Sequence, residues 1–364
     1  MMTRLAALSA TALLLASTAA FAQEEPVLNL FIWSDYMADD TVSNFEAQTG
    51  IKVNFAYYDN NEIVDTMLLT GNSGYDIIVP SGNFLERQIQ AGLILPLDKS
   101  QLTNLGNLDP NALETAKAQD PDNAHAVPYM INTIGFGYNV EKVKAILGED
   151  APVDSWDLIF KPEYAEKLAA CGISLLDSQS EVVGIVLNYL GLDPNSESPD
   201  DLAKAEELLT TIKPYIRYYN SSAYITDLGV GETCVAMGYS GDVFQASDAA
   251  AEAGLGEVTY VIPKEGAATL FDFLAIPADA PHPGNAHKFI NYILEPKVVA
   301  DITNAVFYAN PNTAANEFVD EEIINNPSIY ASEETIANAF VLGAPSPEFQ
   351  ELLTRTWSRV RTGQ

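Results

Sequence analysis

The chain is poor in the residues that carry thiol, imidazole and anion chemistry. Of 364 residues only two are cysteine, Cys171 and Cys234, and three are histidine, His125, His282 and His287. No Cys-x-x-Cys pair occurs and the histidines lie far from both thiols in sequence, so a catalytic thiol or dithiol centre is poorly supplied. Lysine and arginine number 18 against 50 Asp and Glu, a formal net charge of −32. That shortage of cations excludes general nucleic-acid affinity and argues against anionic membrane surfaces. It favours cationic partners, or reports only solubility in a saline habitat, because exposed charges are screened beyond about 8 Å at physiological salt. Also missing are a Walker loop, a Gly-x-Gly-x-x-Gly after a strand and a His-Glu-x-x-His helix. Gly238-Tyr239-Ser240-Gly241-Asp242 lacks the Gly-x-Ser-x-Gly spacing of a nucleophile elbow. Paired carboxylates for hydrolysis are a distance in space rather than in sequence, so a secreted acid/base hydrolase stays open as an alternative.

Long apolar runs are absent too, except at the N-terminus. Met1 to Arg4 make a short positive start, Leu5 to Ala19 an apolar and small-residue run, and Ala20-Phe21-Ala22 a small-x-small cleavage site. Residues 1–22 therefore read as a signal peptide cleaved near Ala22/Gln23, and the run is too short and too rich in Ala and Ser to serve as a membrane anchor. Export to an oxidising compartment makes a Cys171–Cys234 disulfide the simplest account of the two cysteines. Closing so long a loop contributes about 4 kcal/mol in the chain-entropy model.

What is present is ample core material: 48% of residues are hydrophobic and 10% aromatic, over a length that calls for two lobes. Val27 to Trp33 reads as a strand; Asp40 opens a helix bearing Val42 and Phe45 that stops at Gly50; Ile51 to Tyr58 is a second strand. Glu62 to Leu69 makes a helix with Ile63, Met67 and Leu68 on its apolar side, and Asp76 to Val79 a buried strand. This βαβαβ order predicts an open, largely parallel sheet, in which ligands lie beyond the carboxyl ends of the strands. Trp33 to Tyr36 and Pro80-Ser81 fall at such ends. Tyr129 to Tyr138 reads as a strand crossing between lobes, and Thr259 to Pro263 and Phe271 to Ile276 as strands returning to the first.

Trp33-Ser34-Asp35-Tyr36 places a carboxylate between two π-faces, a combination suited to an organic ammonium. The same residues fit a pair of core aromatics around a turn aspartate. Asp272 is a second signal. A carboxylate inside the apolar run Leu270-Phe271-Asp272-Phe273-Leu274 is costly unless a ligand cation or an internal Lys or Arg compensates it, and the ligand is favoured.

The segments FIWSDYMADDTVSNFEAQTGIKV, GYDIIVPSGNFLERQ, AVPYMINTIGFGYN, PVDSWDLIFKPEY, CVAMGYSGDVFQAS, YVIPKEGAATLFDFLAIPADA and VFYANPNTAA closely resemble the periplasmic polyamine-binding proteins of ABC transporters, particularly the putrescine-binding branch. The resemblance covers nearly all of the mature chain in order. It implies an α/β, two-lobe type II periplasmic binding protein with mainly parallel sheets and the ligand in the interlobe cleft. The N-terminal lobe would take 23–132 plus 265–310, and the C-terminal lobe 133–264 plus 311–364. It also implies a periplasmic monomer without a cofactor, catalytic residue or resident metal, partnered by a polyamine (putrescine, or spermidine or another diamine) and a membrane permease. Carried over position by position, Trp33, Ser34, Asp35 and Tyr36 form the first binding loop, with Asp35 paired to one ammonium. Ser81 adds a hydroxyl and Glu181 an acidic position; Tyr239, Asp242, Asp272 and Tyr308 complete the wall. Two departures stand out: Tyr239 replaces a usual Trp, and Leu270 a usual Phe or Trp, which removes ring area and leaves the choice among diamines and spermidine open. A ferric-ion-binding protein of the same fold is the other alternative and would need clustered Tyr, His or Asp ligands.

Overall fold

Strand and helix alternate from the outset, and each switch has a local cause. In this computed structural model, which describes residues 24–331 and 338–363, β1 spans Val27–Trp33, helix α1 Thr41–Thr49 and β2 Lys52–Tyr58. The expected signal peptide and its cleavage site lie outside the described residues. α1 ends at Gly50, whose left-handed backbone (φ 73°) lets its N–H close onto the Glu46 carbonyl. α2, Asn61–Thr70, begins at Asn60, whose side chain accepts from the Ile63 N–H. Its buried stripe runs through Asn61, Val64 and Leu68; Ile63, expected on the apolar side, is exposed, and Met67 is half-buried. β3, Ile77–Ile78, then leads into α3, Gly82–Gln90.

The remaining strands are β4 (Ala126–Asn139), β5 (Ile173–Leu175), β6 (Tyr218–Tyr219), β7 (Val235–Tyr239), β8 (Val258–Val261), β9 (Ala267–Ala275) and β10 (Ala339–Phe340). All join one hydrogen-bonded path in the order β2-β1-β3-β9-β4-β7-β5-β6, with β10 beside β9 and β8 beside β4. β1 is parallel to β2 and β3, and β5 to β6 and β7, as the alternating pattern predicts. β9 and β4 are antiparallel to their neighbours on this path and tie the two parallel blocks together.

The register decides where the blocks point. β3 runs in the direction of β4 and meets β9 at Ile78↔Ala275, level with Ala126 at the start of β4. β7 runs against β4, and its last residue, Tyr239, lies opposite Ile134. The carboxyl ends of both blocks therefore converge on the middle of β4, around residues 129–133. Pro128 lacks the N–H for regular pairing, and the β4–β9 register shifts between Pro128 and Met130.

The disulfide forms between Cys171 and Cys234, just ahead of β5 and β7, with Cα atoms 5.6 Å apart and 63 residues of separation. Replacing both cysteines by serine is expected to lower unfolding free energy by about 3–4 kcal/mol in a urea titration while leaving ligand affinity within about twofold. An unchanged midpoint would contradict the loop-closure account.

Candidate functional site

Where the strand ends converge, a cleft of about 400 Å³, open at its mouth, is lined from both blocks. At the end of β1 the Trp33 indole donates to the Val79 carbonyl at 2.8 Å, and its ring lies 4.6 Å from Tyr58 and 6.2 Å from Tyr239. Two tyrosines form the inner wall, and each follows a residue in the left-handed region. Asp35 (φ 53°) precedes Tyr36, and Phe307 (φ 59°) precedes Tyr308. Aspartate accepts this backbone readily; for phenylalanine it costs about 1–2 kcal/mol. The two turns bring the rings of Tyr36 and Tyr308 edge to face at 5.0 Å. Gly241 makes room for the second ring, since a Cβ there would stand 2.4 Å from Tyr308 Cε2.

Each tyrosine hydroxyl holds one buried carboxylate. Asp272 on β9 accepts from Tyr36 Oη at 2.5 Å, Ser81 Oγ at 2.6 Å and Asn132 Nδ2 at 3.0 Å. Asp242, in the first turn of the helix Ser240–Ala253, accepts from Tyr308 Oη at 2.5 Å and Tyr224 Oη at 2.6 Å. A third acid, Glu181, takes the Tyr239 hydroxyl at 2.7 Å from behind the wall. All their donors are neutral: no ion pair among the described residues includes Asp242, Asp272 or Glu181.

Burial without a cation disfavours the charged form. Desolvation raises Asp272 to about 6, against the lowering effect of its three donors, and Asp242 to about 7 despite its two tyrosines. Glu181 is raised to about 7 for the same first reason, with the Tyr239 hydroxyl opposing. The cleft is therefore an acidic site whose carboxyls meet neutral donors only. It has hydroxyl and amide donors to orient the oxygens, and ring faces to cover methylene groups and attract positive charge.

The structure brings Trp33, Ser34, Tyr36, Ser81, Tyr239, Asp242, Asp272 and Tyr308 together on the cleft wall. Three expected residues stand elsewhere. Asp35 is exposed outside the cleft, because the left-handed turn that admits Tyr36 sends the intervening side chain to solvent; its carbonyl accepts from Gln245 at 3.4 Å. Asp35 makes the turn, and its charge still reaches Asp242, whose carboxyl it helps to raise. Glu181 sits one shell back, behind Tyr239. Leu270 pairs with Asn132 on the crossing strands and is buried in the core, where it does not line the cleft.

The sequence reading missed Tyr58, Asp59, Asn132, Ser221 and Ser222, which also line the cleft. Tyr58-Asp59 ends β2, so the rule that placed Trp33 and Ser81 applies equally there. Asn132 interrupts an apolar strand as Asp272 does, and that signal was available. The two serines carry none; beside them, Asn220 reaches Asp59 Oδ2 at 3.5 Å. Among the described residues no group of three or more His, Cys, Asp or Glu could hold a metal ion.

Two strand blocks facing each other across crossing segments, with a polar cleft at their carboxyl ends, define a type II periplasmic binding fold. The chain belongs to the bacterial extracellular solute-binding proteins, whose family pattern matches residues 40–331. It is 51% identical over 362 residues to the putrescine-binding periplasmic protein PotF of Escherichia coli K12, covering 99% of this chain and 98% of that one. It is 47% identical over 344 residues to the putrescine-binding periplasmic protein SpuD of Pseudomonas aeruginosa, 94% of each. Among solved structures, a spermidine/putrescine ABC transporter protein of Listeria monocytogenes matches with a TM-score of 0.84 at 30% identity, over 93% of this chain and 100% of that one.

The three raised carboxyls make ligand-free stability depend on pH in a fixed direction. Their contribution is fully present below the ordinary carboxyl range and is lost as pH rises through about 6 to 7, because the folded state holds protons that the unfolded state has released. In ligand-free protein Asp242→Asn is expected to gain stability relative to wild type between about pH 5 and pH 8, by about 2 kcal/mol or more over that interval. Urea titrations at the two pH values measure it; a pH-independent difference would contradict the assignment.

Proposed function

We propose that this chain captures a polyamine, putrescine in the first place, in the cleft between two lobes and delivers it to an ABC transporter permease as a periplasmic monomer, without catalysing a reaction. The lobes are 23–132 plus 265–310 and 133–264 plus 311–364, joined through β4, β9 and the segment around Tyr308. The observation that carries the reading is the pair Asp242 and Asp272, buried with neutral donors only and walled by Trp33, Tyr36, Tyr239 and Tyr308. The names of two relatives at 51% and 47% identity, putrescine-binding periplasmic proteins, support the same ligand class and compartment.

Magnitudes explain why both kinds of group are needed. Burying four methylenes at about 0.8 kcal/mol each supplies roughly 3 kcal/mol, whereas micromolar binding needs about 8 before ordering costs. Charge-assisted hydrogen bonds at about 1.5–3 kcal/mol each, with cation–π attraction, close the gap once the cleft excludes water. Ser81, Asn132 and the tyrosines hold the carboxylate oxygens in place, so little reorganisation accompanies binding. Asn220 and Asp59, on different lobes, stand close enough to mark a point of lobe contact.

Calorimetric titration of ligand-stripped protein tests the reading. Asp272→Asn and Asp242→Asn are each expected to weaken putrescine by about a hundredfold or more while the protein still melts cooperatively, whereas Asp35→Ala costs less than about fivefold. Near-wild-type affinity in both cleft variants would overturn it. Protons compete with the amine for the same oxygens, so wild-type affinity is expected to fall by about tenfold or more between pH 8 and about pH 5.5, through the range of about 6 to 7 in which Asp272 and Asp242 titrate.

A further inference from the structure

The two oxygens of Asp272 are served differently. Oδ2 accepts from Tyr36 and Asn132, whereas Oδ1 has Ser81 Oγ, at 2.6 Å, as its one donor among the described residues. A hydroxyl has a single proton to give, so Ser81 serves the carboxylate only while nothing else takes that proton. On its other side stands Asn61, the first residue of α2, which does not line the cleft. Asn61 Nδ2 lies 3.1 Å from Ser81 Oγ, and Asn61 Oδ1 lies 3.0 Å from the Ser81 backbone nitrogen. A backbone N–H can only donate, so the Asn61 carbonyl oxygen must face it, and the amide nitrogen is left to donate to the hydroxyl. The Ser81 oxygen is thereby occupied as an acceptor, and its proton is directed to Asp272. Asn61 is 1% exposed and Ser81 2%, so bulk water does not take over either bond.

Asp242 is served in the same way. Tyr224 and Tyr308 donate to it, and each of those hydroxyl oxygens accepts from a backbone N–H, that of Tyr239 at 2.9 Å and that of Asp242 itself at 3.2 Å. There the N–H groups belong to the main chain. Beside Asp272 the corresponding donor is one side chain, which substitution can remove.

We infer that Asn61 is a positioning residue for the cleft: it fixes the polarity of the Ser81 hydroxyl, so that Asp272 Oδ1 always meets a donor and the carboxylate stands ready for an ammonium. The inference rests on the polyamine reading above. Donation from Ser81 is the first of the three bonds that oppose burial at this acid, so its loss carries the carboxyl above about 6. The other titratable groups in the field of Asp272 are Tyr36, Tyr58, Tyr129, Glu181 and Asp242, none of them cationic, and wild type and variants share them all.

The test follows Asp272 by carboxyl carbon NMR in ligand-free protein, and putrescine affinity by calorimetry, in wild type, Asn61→Ala, Ser81→Ala and the double variant. Asn61→Ala is expected to move the Asp272 titration up by about one pH unit, to weaken putrescine by about fivefold at about pH 6, and to bind within about twofold of wild type at about pH 8.5. A merely structural role would lower affinity alike at both. In the Ser81→Ala background the same substitution is expected to add less than about 0.3 unit. Asn61→Asp keeps the shape of the side chain and covers a loss of fold in the alanine variant. Its oxygens both accept and draw the hydroxyl away from Asp272, so its upward shift is expected to exceed the one it produces without Ser81. An Asp272 titration unmoved by either Asn61 variant, an affinity loss equal at both pH values, or equal shifts with and without Ser81 would each overturn the assignment. A wild type that fails to bind putrescine removes the polyamine reading instead, and the ligand-free titration still decides the role of Asn61.

Discussion

Negative charge buried without a resident cation is the constraint around which this protein is organised. An aspartate held ionised in the cleft among neutral donors costs about 3–4 kcal/mol at alkaline pH, given the height to which Asp272 and Asp242 are raised. Hydroxyl and amide donors offset part of that cost without cancelling the charge. A lysine or arginine in their place would have satisfied the acids and left no affinity for a ligand. The donor set is therefore itself a functional choice, since it fixes the oxygens in space and keeps their electrostatic demand open.

The frame makes such a site tolerable. Both strand blocks end at the middle of β4, so one short stretch of crossing strand carries Asn132, its neighbour on β9 carries Asp272, and strand-end turns supply the rest. Side chains reach the cleft from Trp33 at the end of β1, Tyr58 at the end of β2, Ser81 beyond β3 and Tyr239 at the end of β7. The strained backbone at Phe307, like the favourable one at Asp35, sits one residue before a tyrosine that binds an acid. Strained backbone and acids buried with neutral donors thus meet at the cleft, and the large apolar core and the disulfide supply the stability that surrounds it.

Much of this frame was legible in sequence because its signals are local. Gly50 ends α1 through its own backbone freedom, and the run Val27 to Trp33 is apolar and rich in strand formers whatever surrounds it. Asp272 was legible because an acid in an apolar strand is an energetic anomaly. Asp35 stands off the cleft lining for an equally physical reason: adjacency to two aromatics in sequence says nothing of direction when the backbone turns left-handed between them. Glu62 read as an ordinary residue in the first turn of a helix, and only the packing of α2 against elements distant in the chain shows that its oxygens are unpartnered. The pairing of Tyr224 with Asp242, and the arrival of Ser221 and Ser222 at the cleft, depend on contacts of the same non-local kind.

Tyr239 shows how one substitution joins these effects. The resemblance places tryptophan at this wall position, and the smaller ring gives up apolar area against a methylene chain. In exchange its hydroxyl reaches Glu181 at 2.7 Å, which an indole on the same backbone would meet with a donor in another place. The wall of the cleft is thereby tied to the acid behind it, and that acid lies in the field of Glu62. The protonation of Glu181 and the orientation of the Tyr239 ring are coupled through one hydrogen bond, so wall chemistry and the charge behind it do not vary independently.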